Sequence, residues 1–288
     1  MDTNKEVNEE FYWKKALEVS FSAEENGALV PLETIKLNIG PNYQKGFELR
    51  KLVGEFPKQI KNNQLYQNPF KPYDKRLFID NINNSHILIL NKFPVQKGHM
   101  LLITKEQEPQ DGWLSPNDFK SLLNVDIDSS GLWFFNSSSA SGASQAHRHL
   151  QLLPRAINDV DCPRNDWFNS LIQSKSKATI LERSIEVVPR IRNKSPEDYK
   201  YLYQKYIDLS VKLKIGTPEL DNKPLKPYNL VICKNWISVI RRSKEIGCTF
   251  NINGLGFAGY LLSTSSKSSA IFEKIGGEAI ISEVVDPI

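Results

Sequence analysis

Residues 85–105 read SHILILNKFPVQKGHMLLITK, two apolar runs parted by Pro94 and a Lys97-Gly98 turn. Runs of this length and make-up, bounded by Pro and Gly, fit a pair of antiparallel strands. The connection is longer than a tight hairpin. Further along, PYNLVICKNWISVIRR (227–242) again places two apolar runs around a Lys-Asn turn. Each pair lies upstream of a glycine-bearing stretch that leads into an apolar strand, a loose likeness that points to internal duplication. Ser115-Pro116-Asn117-Asp118 combines a capping serine, a proline at the first helical position and an acid three residues after the cap, so a helix is expected through Leu123. Ser195-Pro196-Glu197-Asp198 repeats the signature before YKYLYQKYIDLSVKLK, where the helix should be long. Near the N-terminus Phe11, Trp13, Ala16, Leu17 and Phe21 recur at helical spacing, and a short helix is expected near the C-terminus. Residues 65–73, LYQNPFKPY, read as an extended loop. The fold class is therefore α+β, a mainly antiparallel sheet with flanking helices.

The chain has 288 residues, 40% of them hydrophobic, enough for a substantial core. Its net charge of +4 is small and both signs are interspersed, which argues against nucleic acid as a partner and suits anionic small molecules. No apolar run approaches a bilayer-spanning length, and the acidic start MDTNKEVNEEFYWKKALEV is unlike a secretory signal. Cys162, Cys233 and Cys248 are widely spaced with no CxxC pair, so neither a disulfide framework nor a cysteine zinc site is indicated. A cytoplasmic protein is expected, with no membrane partner.

The stretch most informative about chemistry is HRHLQLL, 147–153. On a strand His147, His149 and Gln151 share one face, while Arg148, Leu150 and Leu152 share the other. A lone histidine is most simply a half-buried packing residue, but a row of three polar side chains weakens that reading. Two histidines two apart can ligate zinc, although Gln151 is a poor ligand and His86 or His99 would have to join from other strands. A neutral imidazole is also a good nucleophile toward phosphorus near neutral pH. That chemistry needs donors around the phosphate oxygens. The preceding SSSASGAS has the composition of a flexible linker. Its place between the apolar strand LWFFN and the histidine row suggests instead an anion loop, in which Gly142, Ala143 and Ser144 allow close backbone approach and Ser144 and Gln145 add side-chain donors.

GASQAHRHLQLLP (142–154) resembles the diadenosine tetraphosphate phosphorylases, or ATP adenylyltransferases, of the histidine triad and galactose-1-phosphate uridylyltransferase superfamily. NKFPVQKGHMLLITKE, FELRKLVGEFPK, NPFKP, PYNLVICKNWISVIRRSKE and NINGLGFAGYLL extend the resemblance, in the family's order, over most of the chain beyond residue 45. The resemblance implies one catalytic domain over 1–288, formed from two fused histidine-triad-like halves (about 45–160 and 180–288). It implies phosphorolysis of diadenosine tetraphosphate to ATP and ADP through an adenylylated histidine, with His149 as nucleophile, Gln151 near the α-phosphate and His147 orienting its neighbours. Asn91, Lys92, Asn136, Gly142, Ala143, Ser144 and Gln145 fall on its substrate contacts. Lys58, Asn253, Gly254, Leu255 and Tyr260 match further contacts, and Thr264 stands where the family has a lysine. A divalent cation such as Mg2+ carried with the substrate phosphates is expected, with no metal site of the protein's own and no organic cofactor.

Other readings stay open at this level: a superfamily hydrolase, a transferase acting on another nucleotide-linked substrate, or a silent sensor of diadenosine polyphosphates. The histidine-proline-histidine core and cysteine metal sites usual in sugar-phosphate uridylyltransferases are not matched, since Arg148 stands between the histidines.

Overall fold

The computed structural model describes residues 10–38, 40, 46–54, 68–129, 131–156, 159–191, 195 and 197–288. In chain order these form α1 (Phe11–Glu25), β1 (Thr34–Lys36), β2 (Glu48–Leu52), β3 (Phe78–Ile82), β4 (His86–Leu90), β5 (Met100–Thr104), α2 (Pro116–Asp128), β6 (Gly131–Asn136), β7 (His149–Pro154), α3 (Asn165–Gln173), α4 (Ile180–Arg183), β8 (Ile185–Pro189), α5 (Asp198–Lys212), β9 (Tyr228–Ile232), β10 (Trp236–Arg241), β11 (Ile246–Gly247), β12 (Phe250–Asn251), α6 (Gly254–Ala258), β13 (Tyr260–Ser263) and α7 (Ser266–Ser282). The C-terminal helix is longer than the sequence suggests, and it kinks where Gly276 takes φ 76°.

Eight strands make one sheet in the order β3-β4-β5-β7-β6-β9-β10-β8, with every neighbouring pair antiparallel. The α+β expectation holds. Among the described strands, β2 and β13 form a parallel pair in a small three-stranded sheet. Within the large sheet β5-α2-β6-β7 and β8-α5-β9-β10 share one connectivity: strand, helix, strand, strand, with the last strand inserted between the first two. The two units meet edge to edge where β6 pairs with β9, Asn136 opposite Asn229. This changes the internal likeness drawn from sequence. NLVI corresponds in connectivity to LWFFN rather than to ILIL, because similar apolar runs carry no record of which strand is inserted where.

The first predicted cap forms in full, while at α5 Glu197 takes the N-cap position without a side-chain bond and only the contact between Ser195 and Asp198 is kept. Ser115 Oγ accepts from the Asp118 N–H and the Asp118 carboxylate accepts from the Ser115 N–H, with Pro116 opening α2. The Ser195 N–H likewise donates to Asp198 Oδ2 at the start of α5.

The period of two sorts β6, β7, β9 and β10 between two cores. Leu102, Leu150, Leu152, Phe135, Leu230 and Val239 pack with Phe119 and Leu122 of α2 and with Leu202, Tyr206 and Leu209 of α5. Leu132, Phe134, Leu153, Val231 and Ile240 pack on the opposite face with Phe257, Leu261, Phe272 and Ile280 from the C-terminal segment. Each such fully buried aliphatic or aromatic side chain contributes about 1.5–3 kcal/mol. The second core stops short of β4 and β5. His149 and Gln151 lie at its border, on the face the C-terminal segment covers only in part.

Candidate active site

Strand alternation continues through the histidine row. Leu150 and Leu152 enter the helix-covered core, and Arg148 turns the same way to meet Asp118 at the start of α2, 3.2 Å away. The carboxylate of Asp118 is shared with His86 Nε2 at 2.9 Å, so the back of the row is anchored to a buried charge network. His147, His149 and Gln151 face the other way. The two histidines of the row are buried and Gln151 is half-buried. His147 and His149 are 2% and 3% accessible, because Phe70 lies over both, its ring centroid 5.6 Å from the first and 5.4 Å from the second.

Hydrogen bonding assigns each imidazole a role. The Asn68 amide nitrogen donates to His147 Nδ1 at 2.8 Å, leaving Nε2–H to donate to the Thr104 carbonyl at 2.8 Å. Both nitrogens of His147 are thereby occupied. In turn His149 Nδ1–H donates to the His147 carbonyl at 2.8 Å, so its Nε2 carries the free lone pair. Burial pushes the His149 pKa down to about 4; positive charge on His147 would lower it further, and the carbonyl bond opposes the shift. His99, at the entrance to β5, is likewise held at about 4 by burial. It accepts from the Asn91 amide at Nδ1 (3.0 Å) and donates from Nε2 to Gln151 Oε1 (3.0 Å). With its carbonyl oxygen held in this way, Gln151 presents its NH2 group to the site.

The anion loop is only partly as expected. The N–H groups of Gly142 and Ala143 close onto the Ser139 and Ser138 carbonyls, after a short 3-10 turn over Ser139–Ser141. Those of Ser144 and Gln145 have no acceptor among the described residues. The donors therefore sit two and three residues after the glycine, which takes a left-handed φ of 87°. Gly142 also lies against the C-terminal loop: a Cβ there would meet Asn253 Cβ at 2.7 Å and the Ile252 carbonyl at 2.8 Å.

Asn136 joins these loops. Its Oδ1 accepts from Asn229 Nδ2 (2.8 Å) and from the Gly254 N–H (2.9 Å), and its Nδ2 reaches the Gly142 carbonyl at 3.5 Å. At 1% exposure it acts first as a clasp. Beneath it Arg242, fully buried, donates to Asn229 Oδ1 and to the Ser141, Lys244, Ile252 and Val284 carbonyls. Asn253 caps α6 through the Leu255 N–H at 2.9 Å, and Leu255 is half-buried. Asn91, Lys92, Ala143 and Gln145 are half-buried and Ser144 is exposed; the Lys92 ammonium stands 5.5 Å from the Phe93 ring. Tyr260 stands apart from this cluster, its hydroxyl accepting from Arg155 Nη2 at 2.8 Å. Lys58 lies outside the described residues. His99 entered the sequence reading only as a distant zinc ligand, while Asn68, Phe70, Thr104 and Gln110 were not singled out. Asn68 and Phe70 fall in the NPFKP stretch and Thr104 in NKFPVQKGHMLLITKE, while Gln110 falls in neither, because their roles depend on strand neighbours far away in the chain.

Fold and side chains together define the class: an α+β protein whose antiparallel sheet carries a row of buried histidines beside a small-residue loop. Residues 2–166 match the model of the Ap4A phosphorylase N-terminal domain, and residues 176–287 that of the ATP adenylyltransferase C-terminal domain. The chain belongs to the Ap4A phosphorylase family. It is 30% identical over 211 residues to Protein APA1 of Saccharomyces cerevisiae (67% of this chain), a match that spans 65% of that protein, just under two thirds. It is 28% identical over 226 residues to diadenosine 5',5'''-P1,P4-tetraphosphate phosphorylase 2 of the same yeast, covering 68% of each chain. The fold is similar to that of yeast Ap4A phosphorylase Apa2 crystallised with AMP, at a TM-score of 0.72 and 23% identity over 96% of both chains.

Proposed function

We infer that this protein phosphorolyses diadenosine tetraphosphate, using inorganic phosphate to give ATP and ADP by way of an adenylylated His149. The observation that carries the reading is the locked tautomer. An imidazole whose Nδ1–H is committed to the His147 carbonyl has Nε2 unprotonated and fixed in direction, and burial keeps the ring neutral at physiological pH.

In this reading Nε2 of His149 attacks the α-phosphorus in line. An N–P bond forms, the bond from phosphorus to the bridging oxygen breaks, and ATP leaves. An oxygen of inorganic phosphate then attacks the same phosphorus from the vacated side, breaks the N–P bond and departs as ADP, restoring the ring. The Gln151 NH2 group and the Ser144 and Gln145 N–H groups are the donors for the phosphoryl oxygens. A polyphosphate is a weakly basic leaving group and departs without a proton, which suits a row whose third member is an amide rather than an acid. Lys92 and Lys58 would offset leaving-group charge, and Asn253, Gly254, Leu255 and Tyr260 would extend the nucleotide contacts. Among the described residues no three His, Cys, Asp or Glu side chains converge to hold an ion. A divalent cation such as Mg2+ is proposed to come bound to the substrate's phosphates, where it would neutralise charge. Among the described residues no helix is long and apolar enough to cross a membrane. Free thiols at Cys162, Cys233 and Cys248 support a reducing compartment such as the cytoplasm.

The test is to incubate the protein with diadenosine tetraphosphate, with and without phosphate, and to resolve the nucleotides. ATP plus ADP formed only with phosphate, together with loss of the covalent adenylate in His149→Ala, is the expected result. AMP plus ATP without phosphate would make it a hydrolase, and binding without turnover would make it a sensor.

A further inference from the structure

Strands β6 and β7 pair in register from Gly131↔Pro154 to Phe134↔Gln151. The next hydrogen-bonding position on this ladder brings Asn136 and His149 together, and there the strands do not bond each other. The carboxamide of Gln110 is inserted between them. Its Oε1 accepts from the His149 N–H at 2.9 Å, and its Nε2 donates to the Asn136 carbonyl at 2.6 Å and reaches the His149 carbonyl at 3.4 Å. The backbone around Gln110 takes over the role of β6. Its N–H donates to the Ala146 carbonyl at 2.8 Å, the Arg148 N–H donates to the Glu108 carbonyl at 2.8 Å, and Pro109 bridges His147. Residues 108–110 therefore run beside residues 146–148, and β6 is free to leave the sheet at Asn136 and enter the loop over 137–145.

We propose that Gln110 is a positioning residue for the reaction: its side-chain amide parts β6 from β7 at the nucleophile and sets the distance from His149 to the loop that holds the phosphate. The inference rests on the phosphorolysis reading. A Gln is 3% exposed here with its acceptor and both donors engaged, and it spans a gap that direct strand pairing would close. Closing the gap would draw the start of the loop onto His149 and spoil the line of attack, a small displacement to which in-line transfer is sensitive. The ground-state contacts of the nucleotide lie on other groups, so the loss should fall on kcat.

The test compares wild type with Gln110→Met and Gln110→Glu in steady-state phosphorolysis, with the folded fraction measured for each. For Gln110→Met, which fills the space without hydrogen bonds, kcat should fall at least about tenfold while KM stays within about twofold. In Gln110→Glu an ionised carboxylate can accept from the His149 N–H but opposes the Asn136 carbonyl, whereas the neutral acid restores a donor. Its kcat relative to wild type should therefore rise severalfold as pH falls from about 8 to about 6. Wild-type kcat in Gln110→Met, a loss confined to KM, a loss matching the unfolded fraction, or a pH-independent ratio for Gln110→Glu would each overturn the proposal. The wild type separates the two failures: if it does not turn over diadenosine tetraphosphate, the phosphorolysis reading fails, whereas turnover with these variants unimpaired sinks only the role of Gln110.

Discussion

His99 Nε2 lies 3.0 Å from Gln151 Oε1, and the Asn91 amide, 3.0 Å from His99 Nδ1, leaves Nε2 as the nitrogen that carries the proton. Two side chains from the β4–β5 connection, Asn91 and His99, thus determine which end of the Gln151 amide faces the site. A freely rotating amide would present oxygen to an anion half of the time, at a cost in both orientation and repulsion.

His99→Ala should accordingly lower kcat about tenfold, and Gln151→Ala by a similar factor. The double variant should be little worse than either single one, since both remove the same oriented donor. A double-mutant cycle on kcat/KM reads this directly, and strictly additive losses would dissociate His99 from Gln151.

The pH dependence follows from two buried neutral rings. His99 and His149 have folded pKa values of about 4, below the reference of roughly 6.5. Between those values the unfolded chain binds more protons than the folded one, so their contribution to stability is complete above roughly pH 6.5 and is lost as pH falls toward 4. Unfolding at pH 5 should take up about two protons through these groups, a slope that His99→Ala/His149→Ala should flatten in chemical denaturation at several pH values. For the same reason the acid limb of kcat/KM, which reports the free enzyme, should lie well below the ordinary histidine range.

Phe70 covers His149, the proposed nucleophile, so its removal should affect more than packing. Phe70→Ala is expected to cost about 3 kcal/mol of stability and to admit water to the adenylylated ring. AMP release without phosphate should then rise about tenfold or more over wild type, as measured by nucleotide chromatography. A variant that loses stability with no change in phosphate-independent AMP would show that Phe70 does not exclude water.

At Gly142 a methyl group faces both a left-handed φ of 87° and Asn253 Cβ at 2.7 Å. Gly142→Ala should destabilise the protein by about 1–3 kcal/mol and raise KM for the dinucleotide, because the loop must move off the Asn253–Gly254 turn. Thermal unfolding and steady-state kinetics check the two effects separately.

Much of this protein is legible locally. Apolar periodicity and turn residues mark β4, β5, β9 and β10, and Ser-Pro-x-Asp marks the starts of α2 and α5, because caps and strand alternation act over a few residues. The same period of two places Arg148, Leu150 and Leu152 on one face and the two histidines with Gln151 on the other. The residue pattern GASQAHRHLQ carries the family resemblance.

What tertiary structure alone decided is which groups these residues meet. Burial of the histidine row under Phe70, the commitment of Asn136 to Asn229 and Gly254, the hold of His99 on Gln151 and the insertion of Gln110 beside His149 all join positions tens to more than a hundred residues apart. A side chain's type states which bonds it can make. Sheet order and register decide which it makes, and these come from burying whole faces at once, an outcome no short stretch of chain encodes by itself.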